Sequence, residues 1–327
     1  MKRRELILAA GAWGALASAR TWAQASRMRS IGVMLYTGFE ASSQSLAAFR
    51  ARLAKLGWSE GTNLEMEIWS AENRVDRFPA LVQQAVARKV EVIVVLGTPG
   101  ARAAKELSAG IPVVFAQLGD PVGSGVVASL ARPGGHVTGT SIQFTDVAGK
   151  QIELLKALVP KLERIAELRS PAVGKLAVDV SARLASAAAR AGVGLIHLDA
   201  DKATDIEPAF AAATRAQIQA MVVVPIALYF SEIKRIVQLA RQHRIATMFA
   251  SRRLAVAGGL ASYGPDFAES FARAAPYVDK ILRGVRPADL PVEQADRFEL
   301  VLNRRTAAEL GLTIPQSVLL QATEVIE

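Results

Sequence analysis

The sequence contains no cysteine among its 327 residues, and this absence removes several classes of protein at once. Disulfide scaffolds, thiolate-bound zinc sites and thiol catalysis all require cysteine, as does an anchor on a lipidated cysteine. Without disulfides, the fold depends on its apolar core. A content of 51% hydrophobic residues is sufficient for a chain of this length to fill the cores of two lobes.

Catalytic motifs are also missing. The three histidines, His136, His197 and His243, are far apart and show no metal-ligand spacing. The chain contains neither the G-x-S-x-G motif of hydrolases nor the strict G-x-G-x-x-G and P-loop patterns of nucleotide sites. A looser glycine pattern at residues 123–128 lies several residues beyond its predicted strand. The sequence therefore predicts no metal, no cofactor and no enzyme, although an enzyme on a similar two-lobed fold and a ligand-sensing protein remain alternative interpretations.

Positive charge is in excess, but it is not concentrated. The chain has 39 Lys and Arg residues against 30 Asp and Glu residues, a net charge of +9, spread along its length. A nucleic-acid-binding protein concentrates its basic residues in a patch or a stripe. We therefore interpret the excess as a solvated basic surface and predict no nucleic-acid partner.

The first 25 residues have the pattern of an export signal. Residues 2–4 are Lys-Arg-Arg, residues 6–19 form a mildly apolar run, and residues 23–25 are Ala-Gln-Ala, which matches a cleavage site. The apolar run is shorter than the ~20 residues that a membrane span needs. We therefore expect cleavage after Ala25 and a periplasmic mature protein. The adjacent arginines fit a twin-arginine signal as well as an ordinary secretory signal, and both routes remain open.

The most informative stretch lies in the first half of the chain. Two apolar runs, residues 92–96 and 111–115, are joined by a helical segment at residues 101–107, as in parallel strands that are buried on both faces. Strands alternate with helices in this way over residues 31–142 and again over residues 147–249. This order predicts an α/β fold of two Rossmann-like lobes, each with a parallel sheet.

The residues that follow each predicted strand form the candidate site, because open α/β sheets bind ligands at the carboxyl ends of their strands. Short hydroxyls and backbone amides there suit a carboxylate, especially at a helix start, and tyrosine suits a flat apolar group. The candidates are Thr37, Gly38, Thr98, Pro99, Asp120, Ser141, Arg169, Ser262 and Tyr263. The sequence thus predicts a small carboxylate-bearing ligand, such as an amino acid or an aromatic acid.

Several of these candidates also have a purely structural interpretation. Thr98 and Ser141 are suited to capping a helix, and Asp120 is suited to closing its own turn instead of receiving a ligand ammonium group. Arg169 is either a bidentate partner for an anion or an exposed loop residue. Aromatic residues such as Tyr263 are equally suited to core packing.

Several motifs occur in an order shared with one protein family. The motifs are Gly97-Thr98-Pro99, residues 111–115 (IPVVF), residues 119–122 (GDPV), residues 128–139 (ASLARPGGHVTG), residues 258–264 (GGLASYG), residues 288–292 (ADLPV) and residues 298–303 (FELVLN). Together they resemble the ABC-transporter substrate-binding proteins of the group that includes tryptophan- and tyrosine-binding members. The resemblance covers nearly all of the chain beyond residue 25.

This resemblance implies the type I periplasmic binding protein fold, in which a three-segment hinge joins two lobes. The implied lobes are residues 26–142 plus 257–291 and residues 143–256 plus 292–327, with crossings near residues 141–146, 255–259 and 290–295. The resemblance also implies a monomeric solute-binding component of an ABC import system. Its partners would be a small-molecule ligand, a permease and an ATPase.

Two loops of the second lobe depart from the family pattern. Residues 169–171 are Arg-Ser-Pro where the family often has an Asn-Pro turn, and residues 225–227 are Pro-Ile-Ala where a polar or acidic residue is common. Both changes alter the second-lobe wall of the cleft. The resemblance therefore does not by itself carry an aromatic amino acid over as the ligand.

Overall fold

The computed structural model describes residues 28–142, 147–173, 175–294 and 298–327. The predicted export signal, residues 1–25, lies outside these ranges. Within them, no helix is both long enough and apolar enough to cross a bilayer. The described residues form two β-sheets with helices packed against them.

The first half of the chain builds a parallel sheet. Its elements are β1 (Arg29–Leu35), α1 (Phe39–Lys55), β2 (Leu64–Ser70), α2 (Phe78–Ala87), β3 (Val92–Leu96), α3 (Thr98–Leu107), β4 (Val113–Leu118) and β5 (Val137–Ser141). A short strand from much later in the chain, β11 (Glu293–Gln294), pairs in parallel with β5. The spatial order is therefore β11-β5-β4-β3-β1-β2.

The second half builds a seven-stranded sheet. Its elements are α4 (Val147–Leu158), β6 (Arg164–Arg169), α5 (Lys175–Arg190), β7 (Gly194–Asp199), α6 (Ala203–Arg215), β8 (Ala220–Val223), α7 (Ala227–Ser231), α8 (Ile233–Gln242), β9 (Ala246–Phe249), α9 (Arg252–Val256), β10 (Ala261–Pro265), β12 (Phe298–Asn303), α12 (Arg304–Leu310), α13 (Gln316–Leu319) and β13 (Glu324–Ile326). The spatial order is β13-β12-β10-β9-β8-β6-β7, and β12 runs antiparallel to β10. Two more helices, α10 (Phe267–Ala272) and α11 (Ala275–Leu282), separate β10 from β11 in the sequence.

The first five strands of each sheet have the same arrangement. The order β2-β1-β3-β4-β5 in the first sheet is matched by β7-β6-β8-β9-β10 in the second. Each sheet begins in its middle, adds one strand on one side and then continues on the other side. Each therefore has a switch point next to its first strand, and the predicted α/β fold with two Rossmann-like sheets is confirmed.

Strand residues alternate between two cores, one on each face of the sheet. In β3, Val92, Val94 and Leu96 pack on one side, while Ile93 and Val95 pack on the other. All five side chains are buried, and full burial of such a side chain contributes about 1.5–3 kcal/mol. A continuous apolar run is the sequence signature of this arrangement.

Two late strands change the predicted division into lobes. β10 pairs with β9 and β12 in the second sheet, although it lies within the predicted lobe I segment 257–291. β11 pairs with β5 in the first sheet, although it lies within the predicted lobe II segment 292–327. Because α10 and α11 pack in the first-lobe core, the chain crosses between the lobes at residue 266. The other two predicted crossings include residues 143–146 and 295, which lie outside the described residues, and the rest of the division stays a prediction.

Glycines that suggested a crossing near residues 255–259 have a packing role instead. A Cβ on Gly259 would lie 2.1 Å from the Phe249 ring, and a Cβ on Gly258 would lie 2.8 Å from Val237. Gly258 also has a φ of +117°, which other residues rarely adopt. These glycines form a tight turn between α9 and β10 within the second lobe, so the prediction of a crossing there is wrong.

Candidate functional site

Each switch point is flanked by two loops at the carboxyl edge of its sheet. In the first lobe these are residues 36–38 and 97–99, after β1 and β3. In the second lobe they are residues 169–171, which begin with the last residue of β6, and residues 224–226, after β8. Ligands of open α/β sheets bind at such points. Of the predicted site residues, the topology brings Thr37, Gly38, Thr98, Pro99 and Arg169 to switch points and leaves Asp120, Ser141, Ser262 and Tyr263 beside other strands.

Two helices of the first lobe begin at its switch point without a side-chain cap. Helix α1 starts after Gly38 and α3 starts after Gly97, and neither glycine has a side-chain oxygen for the first-turn amides. Uncapped amides at the positive end of a helix dipole attract anions. The geometry therefore suits a carboxylate at the edge of the first sheet.

A Gly-Thr-Pro-Gly turn connects β3 to α3. Gly97 has a φ of +80°, and Pro99 lies in the first helical turn, where its missing N–H is not needed. A Cβ on Gly100 would lie 2.4 Å from Val95 Cγ2, so this glycine lets the helix approach the strand. The turn holds Thr98, which is half-buried, directly at the strand end.

Hydrogen bonds and a ring contact fix the loop after β1. The hydroxyl oxygens of Thr37 and Ser42 are 2.8 Å apart, and Ser70 Oγ donates to the carbonyl oxygen of Thr37 over 3.0 Å. Tyr36 stacks on Phe78 with ring centroids 6.2 Å apart. Burial raises the pKa of the Tyr36 hydroxyl. The loop is therefore ordered by its own contacts and carries a neutral aromatic side chain beside the start of α1.

Backbone strain is concentrated at the same edge. Among the described residues, eight that are not glycine have positive φ. Five of them lie two or three residues beyond a helix, where a left-handed residue is an ordinary ending: Lys89, Ala109, Lys161, Gln217 and Arg244. The other three, Glu72, Asn73 and Gln117, lie at the carboxyl ends of β2 and β4. Strained residues cluster at functional sites, so this pattern supports the carboxyl edge of the first sheet as part of the functional site.

Asp120 closes its own turn. Its Oδ1 accepts a hydrogen bond from the Gly123 amide over 2.8 Å, which is the Asx turn that the sequence offered as one interpretation. Arg102 Nε and Lys105 Nζ donate to the carbonyl oxygens of Ser124 and Gly125 over 3.0 and 2.6 Å. The loop after β4 is thus tied to α3 by local contacts, and the Asp120 side chain is exposed at its surface.

Ser141 and Ser262 are buried in different sheets. Ser141 ends β5 and is paired with Leu118 and Gln294, whereas Ser262 lies on β10 beside Phe249. Neither hydroxyl has a hydrogen-bond partner among the described residues. Because buried hydroxyls are normally paired, both are candidates for a contact with a bound molecule.

Tyr263 belongs to the packing of the second lobe. Its ring stacks on Phe298 with centroids 5.8 Å apart and packs against the core beneath α4. Burial raises the pKa of its hydroxyl. Strand β10 is separated from β6 by β8 and β9, so Tyr263 is not at the second-lobe switch point.

Polar groups at the second-lobe edge are paired with one another. Arg169 Nε lies 2.8 Å from Asp199 Oδ1. The Ser170 hydroxyl and the Ala172 amide both donate to Asp201, and the Ser170 hydrogen bond in particular lowers the pKa of that carboxyl. Asp199 ends β7 and Asp201 follows it. Because they lie 30 and 31 residues beyond their partners in the sequence, the sequence alone did not identify them. Across the switch point, residues 224–226 are Val-Pro-Ile, which leaves an apolar wall.

Each histidine has a structural partner. His136 Nε2 lies 3.0 Å from Ser108 Oγ, His197 Nδ1 lies 2.7 Å from Glu167 Oε2, and His243 Nδ1 lies 2.6 Å from Thr214 Oγ1. No group of three potential metal-binding side chains occurs in the described part of the chain. At the carboxyl edges of the two sheets, the described residues thus provide hydrogen-bond donors and apolar surface.

Comparison with known proteins agrees with this arrangement. A family model described as ABC transporter substrate binding protein matches residues 30–326. The chain is 24% identical over 288 residues to the tyrosine-binding protein of Clostridioides difficile (strain R20291), an alignment that covers 88% of this chain and 82% of that protein.

Solved structures also resemble this fold. A conserved domain protein of Vibrio cholerae O1 biovar El Tor is 28% identical with a TM-score of 0.83, and an ABC domain of Streptococcus pneumoniae in complex with L-Trp is 25% identical with a TM-score of 0.81. Each match covers 91% of this chain and 100% of the other. The implied type I periplasmic binding protein fold is therefore confirmed.

Proposed function

This chain belongs to the ABC transporter substrate-binding protein family, and from that membership we propose that it is the periplasmic solute-binding component of an import system. The export pattern in the first 25 residues supports this location. The mature protein would act as a monomer that captures a small molecule between its two lobes and delivers it to a permease with its ATPase. A ligand favours closure only when it binds the closed state more tightly than the open state.

The ligand that this site suits best is an amino acid or an aromatic acid. The observation that carries this proposal is the pair of uncapped helix starts, α1 and α3, on either side of the first-lobe switch point. Their amides and the Thr98 hydroxyl would bind the carboxylate. Pro225 and Ile226 of the second lobe would cover an apolar side chain or ring. The tyrosine named for one relative and the L-Trp bound to another fit this combination.

The remaining predicted residues take different roles in this proposal. Thr37, Gly38 and Pro99 shape the two helix starts, while the buried hydroxyls of Ser141 and Ser262 are available to a polar group of the ligand. The other three contribute to the walls, because their polar groups or rings already have partners: Asp120, Arg169 and Tyr263. We therefore assign the carboxylate to the first lobe alone.

Pairs of ligands that differ only in the carboxylate test this proposal. The mature protein would be tested by thermal unfolding and calorimetry with L-tryptophan against tryptamine and with L-tyrosine against tyramine. A ligand present at ~100 times its Kd adds about 2.7 kcal/mol to the free energy of unfolding. We expect stabilisation by at least one acid and none by its amine. Equal binding of acid and amine, or binding of sugars or nucleosides only, would contradict the carboxylate assignment.

A matched pair of variants locates the carboxylate. Thr98→Ala removes the hydroxyl at the start of α3, and we expect affinity for the bound acid to fall by roughly tenfold, the value of one hydrogen bond to a charged group. Thr62→Ala is the control, because Thr62 is exposed at the opposite edge of the same sheet, before β2. Equal affinities of the two variants would move the anion site away from α3.

A further inference from the structure

The chain passes from the second sheet to the first lobe through a single residue. Strand β10 ends at Pro265, and α10 begins at Phe267, so that Asp266 alone forms the connection. The Asp266 carboxylate caps α10 by accepting from the Glu269 amide over 2.9 Å. On the other side, a Cβ on Gly264 would lie 2.0 Å from the Ala250 carbonyl oxygen, so the end of β10 is closely seated in the second lobe.

A bulge in β4 lies next to this crossing. Phe115 is paired with Gly139 and Leu118 with Ser141, so β4 advances three residues while β5 advances two. The extra residue reverses the alternation of side chains. Leu118 therefore packs in the same core as Phe115, and Gln117 is released from that core.

The side chain of Gln117 forms a hydrogen bond next to the crossing. Its φ is +62°, a left-handed conformation that costs roughly 1–2 kcal/mol for a residue with a Cβ. Its side-chain amide donates to the carbonyl oxygen of Phe267 over 2.7 Å. A glycine would adopt this backbone without the cost but would lose the bond, so the glutamine contributes a contact that the turn itself does not need.

Other contacts fix α10 further from the crossing. Arg52 forms an ion pair of 2.8 Å with Glu269, and Phe49 stacks on Phe271 with centroids 4.7 Å apart. These contacts attach the body of α10 to α1. The Gln117 contact differs because it holds the first residue of α10, and because Gln117 lies in β4, whose end leads into a ligand-edge loop.

We propose that Gln117 is a positioning residue for lobe closure. It links the carboxyl edge of the first sheet to the crossing at Asp266, so that the pivot of the second lobe is fixed relative to the ligand-binding edge. This inference rests on the proposed closure of two lobes around a ligand. In this role Gln117, which has a left-handed backbone and does not itself bind the ligand, determines how far the lobes rotate.

Two substitutions separate this role from folding. Gln117→Glu keeps the shape but places an acceptor where Phe267 needs a donor, and Gln117→Gly removes the side chain while relieving the backbone strain. The control is Gln84→Glu, an exposed position on α2. Because the parent chain contains no cysteine, two cysteines can be introduced into every variant as the only labelling sites. Glu106→Cys in the first lobe and Lys234→Cys in the second would carry one spin label each.

The interlobe distance distribution is the deciding readout. We expect it to broaden in both Gln117 variants without ligand, and hydrogen exchange of the first-turn amides of α10 to accelerate by about tenfold. Distances and exchange rates equal to those of Gln84→Glu would overturn the proposal. If Gln117→Glu fails to fold, Gln117→Gly decides alone.

Addition of L-tryptophan or L-tyrosine then tests the link to closure. We expect the ligand to narrow the distribution less in the Gln117 variants than in the control. If neither amino acid binds the parent protein, the proposed function fails, whereas the ligand-free distances still decide whether Gln117 positions the lobes.

Discussion

The carboxyl edges of the two sheets share one strand order but differ in chemistry. At the first edge, two helix starts lack side-chain caps and three non-glycine residues hold left-handed backbone conformations. At the second edge, Arg169 is paired with Asp199, Ser170 is paired with Asp201, and the opposite loop is apolar. Left-handed non-glycine residues are thus found beside strand ends of the first sheet, and paired charged and polar side chains are found at the edge of the second.

A shared strand order thus determines where a site lies in each lobe, and the local residues determine what that site can bind. A free helix start can still form strong hydrogen bonds with an anion, whereas a paired arginine must first lose its partner. In the proposed function, the first lobe therefore binds the charged end of the ligand. In the same proposal, the second lobe covers the apolar end.

The largest expected effect concerns a glycine in the fifth strand of each sheet, β5 and β10, which the two sheets have in common. A Cβ at Gly139 would lie 1.9 Å from the Phe115 carbonyl oxygen, and one at Gly264 would lie 2.0 Å from that of Ala250. We expect Gly139→Ala and Gly264→Ala each to lower the free energy of unfolding by about 3 kcal/mol, because backbone must move. Urea unfolding measures this value.

Helix α4 supplies the control for both glycines. Gly149 has nothing within 4 Å of its Cβ position, and Gly149→Ala should stabilise the protein by up to about 1 kcal/mol through helix propensity. A large loss at only one of the two edge glycines would break the structural equivalence of the edges.

The next prediction concerns a buried carboxyl group in the second lobe. Among the described residues, Glu167 is the only carboxylate in the buried class, and it pairs with His197 and with the Ser181 hydroxyl. We expect His197→Ala to lower the free energy of unfolding by about 2 kcal/mol, because it leaves a buried carboxyl group with one fewer hydrogen-bond partner. In a Glu167→Gln background the same change should cost about 1 kcal/mol less. An equal cost in both backgrounds would show that the contact between Glu167 and His197 is not responsible for the loss.

A smaller effect tests the open helix start directly. Gly38→Asp gives α1 a side-chain cap, which should raise the free energy of unfolding by about 0.5 kcal/mol. The same carboxylate occupies the first-turn amides and repels a ligand acid, so affinity for L-tryptophan should fall by about tenfold. Thermal unfolding and calorimetry measure the two opposite changes. Gly38→Ala is the control, and retained affinity in Gly38→Asp would place the ligand carboxylate elsewhere.

The smallest effect concerns the paired edge. The Arg169 and Asp199 side chains are 25% and 53% exposed, and such pairs contribute less than about 1 kcal/mol. We expect Arg169→Ala to change stability within that limit and to change affinity for L-tryptophan by less than about threefold. A loss of tenfold or more in calorimetry would break the comparison, because it would make the second lobe part of the anion site.

Local patterns in the sequence predicted the elements that position the site. The apolar run in β3 and the Gly-Thr-Pro-Gly turn after it determine a buried strand and a helix start within ten residues, without help from distant contacts. The candidate residues Thr37 and Thr98 followed from that reasoning, and both lie at the switch point. Their contact with a ligand stays a prediction.

Features that depend on distant partners could not be predicted in this way. The apolar pattern of β10 does not specify which sheet it joins, and Gly258 resembled a hinge although it serves close packing. Gln117 carries no signal for a left-handed conformation, because that conformation is imposed by the register against β5. The pairing of Arg169 with Asp199 required the neighbouring strand.

The late return of the chain to the first lobe has a consequence for folding order. The core of that lobe includes Phe271 and Val278 from α10 and α11, and its edge strand β11 begins at residue 293. All five opening strands of the second sheet are synthesised before these residues. The lobe that begins first therefore completes its core only after most of the second lobe has been synthesised, and contacts of such long sequence separation make its completion slow. A newly made chain thus remains without a finished first lobe until residues 293–294 have been synthesised.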